Sequence, residues 1–114
     1  MYNYENNCCR IIPYRNQHVH EFLGSTKIAE RRDDPHNHRF AGITGPAIPY
    51  HNSHVHQINT RTDSTDHFHR LNLYTGPAID VGFGRHVHPV CGDTSFDDGH
   101  VHRFIFTTLI ERPN

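Results

Sequence analysis

A His-x-His pair occurs six times in this chain, and the spacing around it fixes the fold more tightly than any other feature. The pairs are His18/His20, His36/His38, His54/His56, His67/His69, His86/His88 and His100/His102, and of the 13 histidines only His51 stands outside them. The first, third and fifth pairs read His-Val-His. Each is followed by an apolar residue four places after its first histidine (Phe22, Ile58, Val90) and by a threonine at eight (Thr26, Thr62, Thr94). The second, fourth and sixth pairs are followed by Arg39, Arg70 and Arg103, then by Phe40, Leu71 and Phe104, and later by Thr44, Thr75 and Thr108. The first two units close on the same Thr-Gly-Pro-Ala-Ile, at 44–48 and 75–79. Self-similarity at a fixed spacing is the mark of a repeat architecture. Three units are read, at about residues 18–49, 54–80 and 86–113.

Within each half-unit the pattern alternates with a period of two. His36, His38, Phe40 and Gly42 share one parity, whereas Asn37, Arg39 and Ala41 share the other. That is the periodicity of a strand with one buried face. Turn residues lie between the halves: Asp33-Asp34-Pro35, Asp63-Ser64-Thr65-Asp66 and Asp97-Asp98-Gly99 suit hairpin loops. Pro46 and Pro77 interrupt the ladder between units, because proline has no amide hydrogen to donate. The expected fold is therefore all-β: six antiparallel strands in three repeated hairpins, arranged as a small barrel or sandwich with a pseudo-threefold repeat. Residues 1–17 have no counterpart in the repeat and read as an N-terminal arm ahead of a histidine-rich β-domain at 18–114. Hydrophobic residues make up only 34% of the chain, yet seven Phe and five Tyr favour packed strands over disorder.

On a strand, His-x-His sends both imidazoles to the same face, about 7 Å apart along the chain. That face also carries the apolar residues of the repeat, so it is the inward one. In an antiparallel hairpin the two pairs of a unit lie at opposite ends. Three pairs should gather at one rim (His18, His20, His54, His56, His86, His88) and three at the other (His36, His38, His67, His69, His100, His102). All twelve are candidate metal ligands, since a transition ion needs three or four imidazole nitrogens at about 2.0–2.1 Å. Imidazole-only sites suit Zn, Cu(II), Ni or Co; Ca and Mg want oxygen. Asp34, Asp66 and Asp98 precede the pairs of the second rim and are placed to orient a ligating ring, although Asp in a hairpin loop is also ordinary turn chemistry. The competing reading is that duplicated histidines form hydrogen-bonded or stacked layers without a metal. A catalytic zinc site of three His and a water is a further alternative. It has less support, because Glu21 is the one glutamate near a pair and a threefold repeat does not make the single asymmetric constellation that catalysis needs.

His18-Val-His-Glu-Phe-Leu-Gly-Ser-Thr, His36-Asn-His-Arg-Phe-Ala-Gly-Ile-Thr-Gly and the closing Asp98-Gly-His-Val-His-Arg-Phe resemble the YmaF family of histidine-rich bacterial proteins, over about residues 17–113. The resemblance supports the repeat and implies no activity. Pro89 and Cys91 depart from the pattern, which puts the pairing of their strand in question. Cys8 and Cys9, adjacent in the arm, are similar to the cross-linking cysteines of bacterial spore-appendage subunits and mark the arm as an assembly element. The expected partner is the chain itself, as a homo-oligomer or helical filament, with a soluble metal buffer as the alternative. A net charge of −1, with 11 basic residues scattered among 12 acidic ones, gives nucleic acid nothing to bind. No apolar run is long enough for a spanning helix or a signal-peptide core. Synthesis in the cytoplasm is expected, with a spore-surface or extracellular location after release.

Overall fold

The computed structural model describes residues 17–29, 35–64 and 66–111. The arm with Cys8 and Cys9, and Asp33 and Asp34 of the first loop, lie outside the described residues. The three repeated units each form one hairpin: β1 (Glu21–Ser25) with β2 (Arg39–Ile43), β5 (Gln57–Arg61) with β6 (Arg70–Tyr74), and β9 (Pro89–Asp93) with β10 (Arg103–Thr107). All three are antiparallel over five residues. The second residue of every one of these strands is buried and its neighbours are not. Alternation in the sequence has thus become alternation in burial. Pro89 is accommodated as the first residue of β9, opposite Thr107, a position where proline costs no interior ladder bond. The strand carrying Pro89 and Cys91 therefore pairs in full.

Among the described residues there are ten strands, not the six expected. The segments between units fold into two further hairpins, β3 (Ile48–Tyr50) with β4 (Ser53–Val55) and β7 (Ile79–Gly82) with β8 (Arg85–Val87). Their strands are three or four residues long, and β3 and β7 are exposed along their whole length. β3 and β7 bury no side chain, so no alternation announces them. Their turns are set by left-handed residues, His51 in one and Gly82, Phe83 and Gly84 in the other.

Nor do the described residues form a closed barrel or a sandwich. Each of the five sheets has two strands. The three main hairpins instead stand around a common axis as three walls, joined at their ends by single backbone hydrogen bonds. At one end Gly45 N–H donates to Gln57 O, Gly76 N–H to Pro89 O and Leu109 N–H to Glu21 O, at 2.8–3.0 Å. At the other end Asp63 donates to Arg39, Ser95 to Arg70 and Lys27 to Arg103, at 2.8–2.9 Å. A barrel would need those edges to pair along their length, and here the chain turns toward its neighbour only beyond the last strand residue.

The space between the walls is filled by Phe22, Phe40, Ile58, Leu71, Val90 and Phe104, all at most 5% exposed, with Leu73 and Phe106 packed against them. Two glycines make room for the rings. Gly42 lies opposite Phe22 and Gly24 opposite Phe40, so close that a Cβ would sit 2.8 Å and 2.9 Å from the facing ring. The apolar plug occupies the middle of the axis, and the histidines lie above and below it. No helix among the described residues is long and apolar enough to cross a membrane.

Candidate metal centres

The structure gathers the twelve paired histidines into two groups of six, one at each end of the apolar plug. At one end are His18, His20, His54, His56, His86 and His88, whose ring nitrogens come within 4.8 Å of one another. At the other, His36, His38, His67, His100 and His102 meet the same limit, and His69 joins them through Nε2, 3.1 Å from His100 Nε2. His51 is apart, in the β3–β4 turn with its ring against Tyr50. The second histidine of every pair is buried, from His56, His69 and His88 at 0% to His38 at 3%. First histidines lie nearer the opening at each end, and all but His100 are only partly buried.

One motif, used six times, builds the site. The threonine that closes each strand binds the backbone of the second histidine on the paired strand in both directions. His20 N–H donates to Thr44 Oγ1, and the same bond joins His38 to Thr26, His56 to Thr75, His69 to Thr62, His88 to Thr108 and His102 to Thr94, at 2.9–3.1 Å. Each threonine N–H in turn donates to that histidine's carbonyl, at 2.8–2.9 Å. The residue after the threonine then reaches the neighbouring wall. Its N–H makes the hairpin-to-hairpin bond described above, and its carbonyl accepts the imidazole Nδ1–H of the histidine beside it. His20 donates in this way to Leu109, His56 to Gly45, His88 to Gly76, His38 to Asp63, His69 to Ser95 and His102 to Lys27, at 2.7–3.2 Å.

A carbonyl oxygen can only accept, so these bonds assign the tautomer. Nδ1 carries the hydrogen and Nε2 carries a lone pair. Among the first histidines, His86 Nδ1 lies 3.1 Å from Glu111 Oε2, His67 Nδ1 lies 2.7 Å from Asp66 Oδ1, and His100 Nδ1 donates to Asp98 O at 3.0 Å. These also leave Nε2 bare. Yet the bare nitrogens face each other. Nε2 to Nε2 separations are 3.2 Å for His20 and His86, 3.1 Å for His38 and His67, and 3.1 Å for His100 with both His69 and His102. Neither member of such a pair has a hydrogen to offer, and His56 Nε2 is buried with no hydrogen-bond partner at all. Lone pairs brought this close in a buried place could hold a metal ion between them. The donor set fits one: neutral imidazoles, tautomer fixed by a bond at Nδ1, is how histidine is presented to a metal.

A proton is disfavoured in that role. Burial, the largest influence, with the neighbouring imidazoles adding to it and the carbonyl bonds opposing it, lowers the pKa of His56 and His102 to about 4 and of His88 to about 3. His54 falls to about 4 through burial and the nearby His86, His18 and His20. His20, His69 and His86 are lowered as well, again chiefly by burial.

Of the carboxylates expected to orient the rings, Asp66 does so for His67. Asp98 bonds His100 through its backbone carbonyl, and its carboxylate lies 3.4 Å from His67 Nδ1 of another unit. Glu111 was not foreseen: it takes the backbone N–H of His86 at 3.0 Å as well as facing that ring, and it lies at the chain's end with no repeat partner to signal it. Burial works to raise its pKa, but the hydrogen bonds from the His86 amide and its own amide, with His86 and His20 close by, lower it on balance. Arg39, Arg70 and Arg103 are exposed, and Cys91 is an exposed thiol.

A protein-family model described as YmaF, "Spore germination protein GerY/YamF", matches residues 15–110. No curated protein and no solved structure matches the chain.

Proposed function

The chain belongs to the YmaF family, and from that premise and the two histidine ends we propose that it is a non-catalytic protein that binds one transition-metal ion at each end. The observation that carries this reading is the opposed Nε2 lone pairs, held in place by Nδ1 bonds to fixed carbonyls of the next hairpin. Each ion would take two imidazoles from each of the three walls. Metal binding would therefore clamp the first hairpin to the last and add its binding free energy to that of the fold.

With six imidazoles aimed at one point, no position is left for a substrate or an activated water, and catalytic metal sites need one. A structural or sequestering role follows. The family description places its relatives in spore germination, and a metal-clamped β-domain suits a dehydrated, long-lived structure. Self-association is part of the proposal. Its support is a set of exposed apolar side chains spread over the three main hairpins, Leu23, Ile43, Tyr74 and Ile105, each 60–66% exposed. If the loaded protein stays monomeric, a soluble metal buffer is the better description.

The test is to load the full chain with Co(II), Ni(II) or Zn(II), remove excess, and measure metal by mass spectrometry and particle size by light scattering. Two ions per chain are expected, with assembly following loading. A chain that retains no metal at neutral pH would remove the basis of the proposal.

A further inference from the structure

The arrangement of the twelve rings specifies more than an imidazole-rich pocket. At the first end every pair of rings is in edge contact, with centroids 4.5–5.2 Å apart, except His18/His88, His20/His54 and His56/His86. At the second end the same holds at 4.7–5.2 Å, except His36/His69, His38/His100 and His67/His102. In both cases each ring touches all the others but one, and the excluded partners form three separate pairs. Only the octahedron has that property. A tetrahedron has no opposite vertices, and in a trigonal prism each vertex is remote from two others.

The distances agree. In nine of the 24 contacting pairs, four at the first end and five at the second, the Nε2 atoms are 3.0–3.2 Å apart. Neighbouring vertices of an octahedron are separated by √2 times the bond length, which gives bonds of about 2.1–2.3 Å. Four nitrogens at the zinc distance of about 2.0–2.1 Å would stand about 3.3–3.4 Å apart and could not admit a fifth and sixth.

The repeat explains the geometry. Every opposite pair joins a first histidine of one unit to a second histidine of another. His18, His54 and His86 form the outer triangular face at one end, and His20, His56 and His88 form the buried one. Two triangles staggered about a threefold axis make an octahedron.

We infer that each end is a six-coordinate, all-imidazole octahedral centre, selective for divalent ions between manganese and nickel in the first transition row over four-coordinate zinc and tetragonal Cu(II). This deepens the proposal above and rests on it. Within that row, affinity for nitrogen sites rises toward nickel, while zinc sites are almost always four-coordinate and Cu(II) favours a tetragonal set. A rigid octahedron penalises both. It makes His69 the sixth ligand of the second centre, opposite His36.

X-ray absorption on the Co(II)-loaded full chain counts the ligands directly. Six nitrogens at about 2.1–2.3 Å, with the weak visible bands of six-coordinate Co(II), are expected. Four nitrogens with intense visible bands would overturn the inference while leaving metal binding intact; a chain that takes up no metal would overturn both. In equimolar competition Ni(II) should be retained roughly tenfold over Zn(II), and preferential retention of zinc would overturn the selectivity. His69→Ala should lower loading from two ions to one, because the first centre is untouched, whereas His51→Ala should leave two. Full loading of H69A with an unchanged six-nitrogen shell would count against the assignment.

Discussion

Acid should unfold the metal-free protein well above the pH at which its buried histidines titrate in the folded state. In the folded chain His54, His56 and His102 protonate near about 4 and His88 near about 3, while in the unfolded chain each returns to about 6.5. Because the folded pKa is depressed, the unfolded state binds more protons throughout that window. The stability at stake is fully present above about pH 6.5 and is lost as pH falls toward 4. At pH 5 the difference for one such group is about 2 kcal/mol, from 1.36 kcal/mol per unit over the interval of about 1.5 units below 6.5. Four groups give about 8 kcal/mol, which is comparable to the whole stability of a typical domain at about 5–15 kcal/mol. Stability should therefore rise by about 5 kcal/mol per pH unit between pH 5 and 6, and the chain should lose its fold near pH 5. Urea denaturation followed by circular dichroism, at half-unit steps from pH 8 to pH 4.5 in the presence of a chelator, measures this slope. A slope corresponding to one proton or none, with the melting temperature flat to pH 5, would mean that the buried imidazoles are not held neutral by the fold, and the reasoning would fail. Bound metal should move the transition to lower pH, since protons must displace the ion before they reach Nε2.

Gly42→Ala should destabilise by about 1–3 kcal/mol in urea melts, because its new Cβ would stand 2.8 Å from the Phe22 ring in the centre of the apolar plug. Thr44→Val keeps the shape of the side chain but leaves the buried His20 amide without its acceptor, which should cost about 1–3 kcal/mol. An unchanged denaturation midpoint for T44V would show that the threonine clasp is not part of what holds the ring nitrogens.

The alternating pattern determined much of this protein by itself. A period of two is a local property: wherever His20, Phe22 and Gly24 share a strand they share a face, and the repeat carries that face around three times. The all-β class, the three main hairpins, the apolar middle and the division of twelve histidines into two ends all follow from it. Other features depended on contacts between residues far apart in the chain. The first strands of the two short hairpins, β3 and β7, bury no side chain, so they left no periodic trace. The replacement of a closed sheet by three walls was decided by where the chain bends after each threonine. Above all, the carbonyls that fix the imidazoles belong to Lys27, Gly45, Asp63, Gly76, Ser95 and Leu109. These six residues share no side-chain chemistry, because the contact common to all of them is the backbone carbonyl; Asp63 alone adds its carboxylate, with Oδ1 3.2 Å from His38 Nδ1. Which nitrogen of each ring faces inward, and which ring stands opposite which, came from the rotation of one hairpin relative to the next, a quantity that no local spacing encodes.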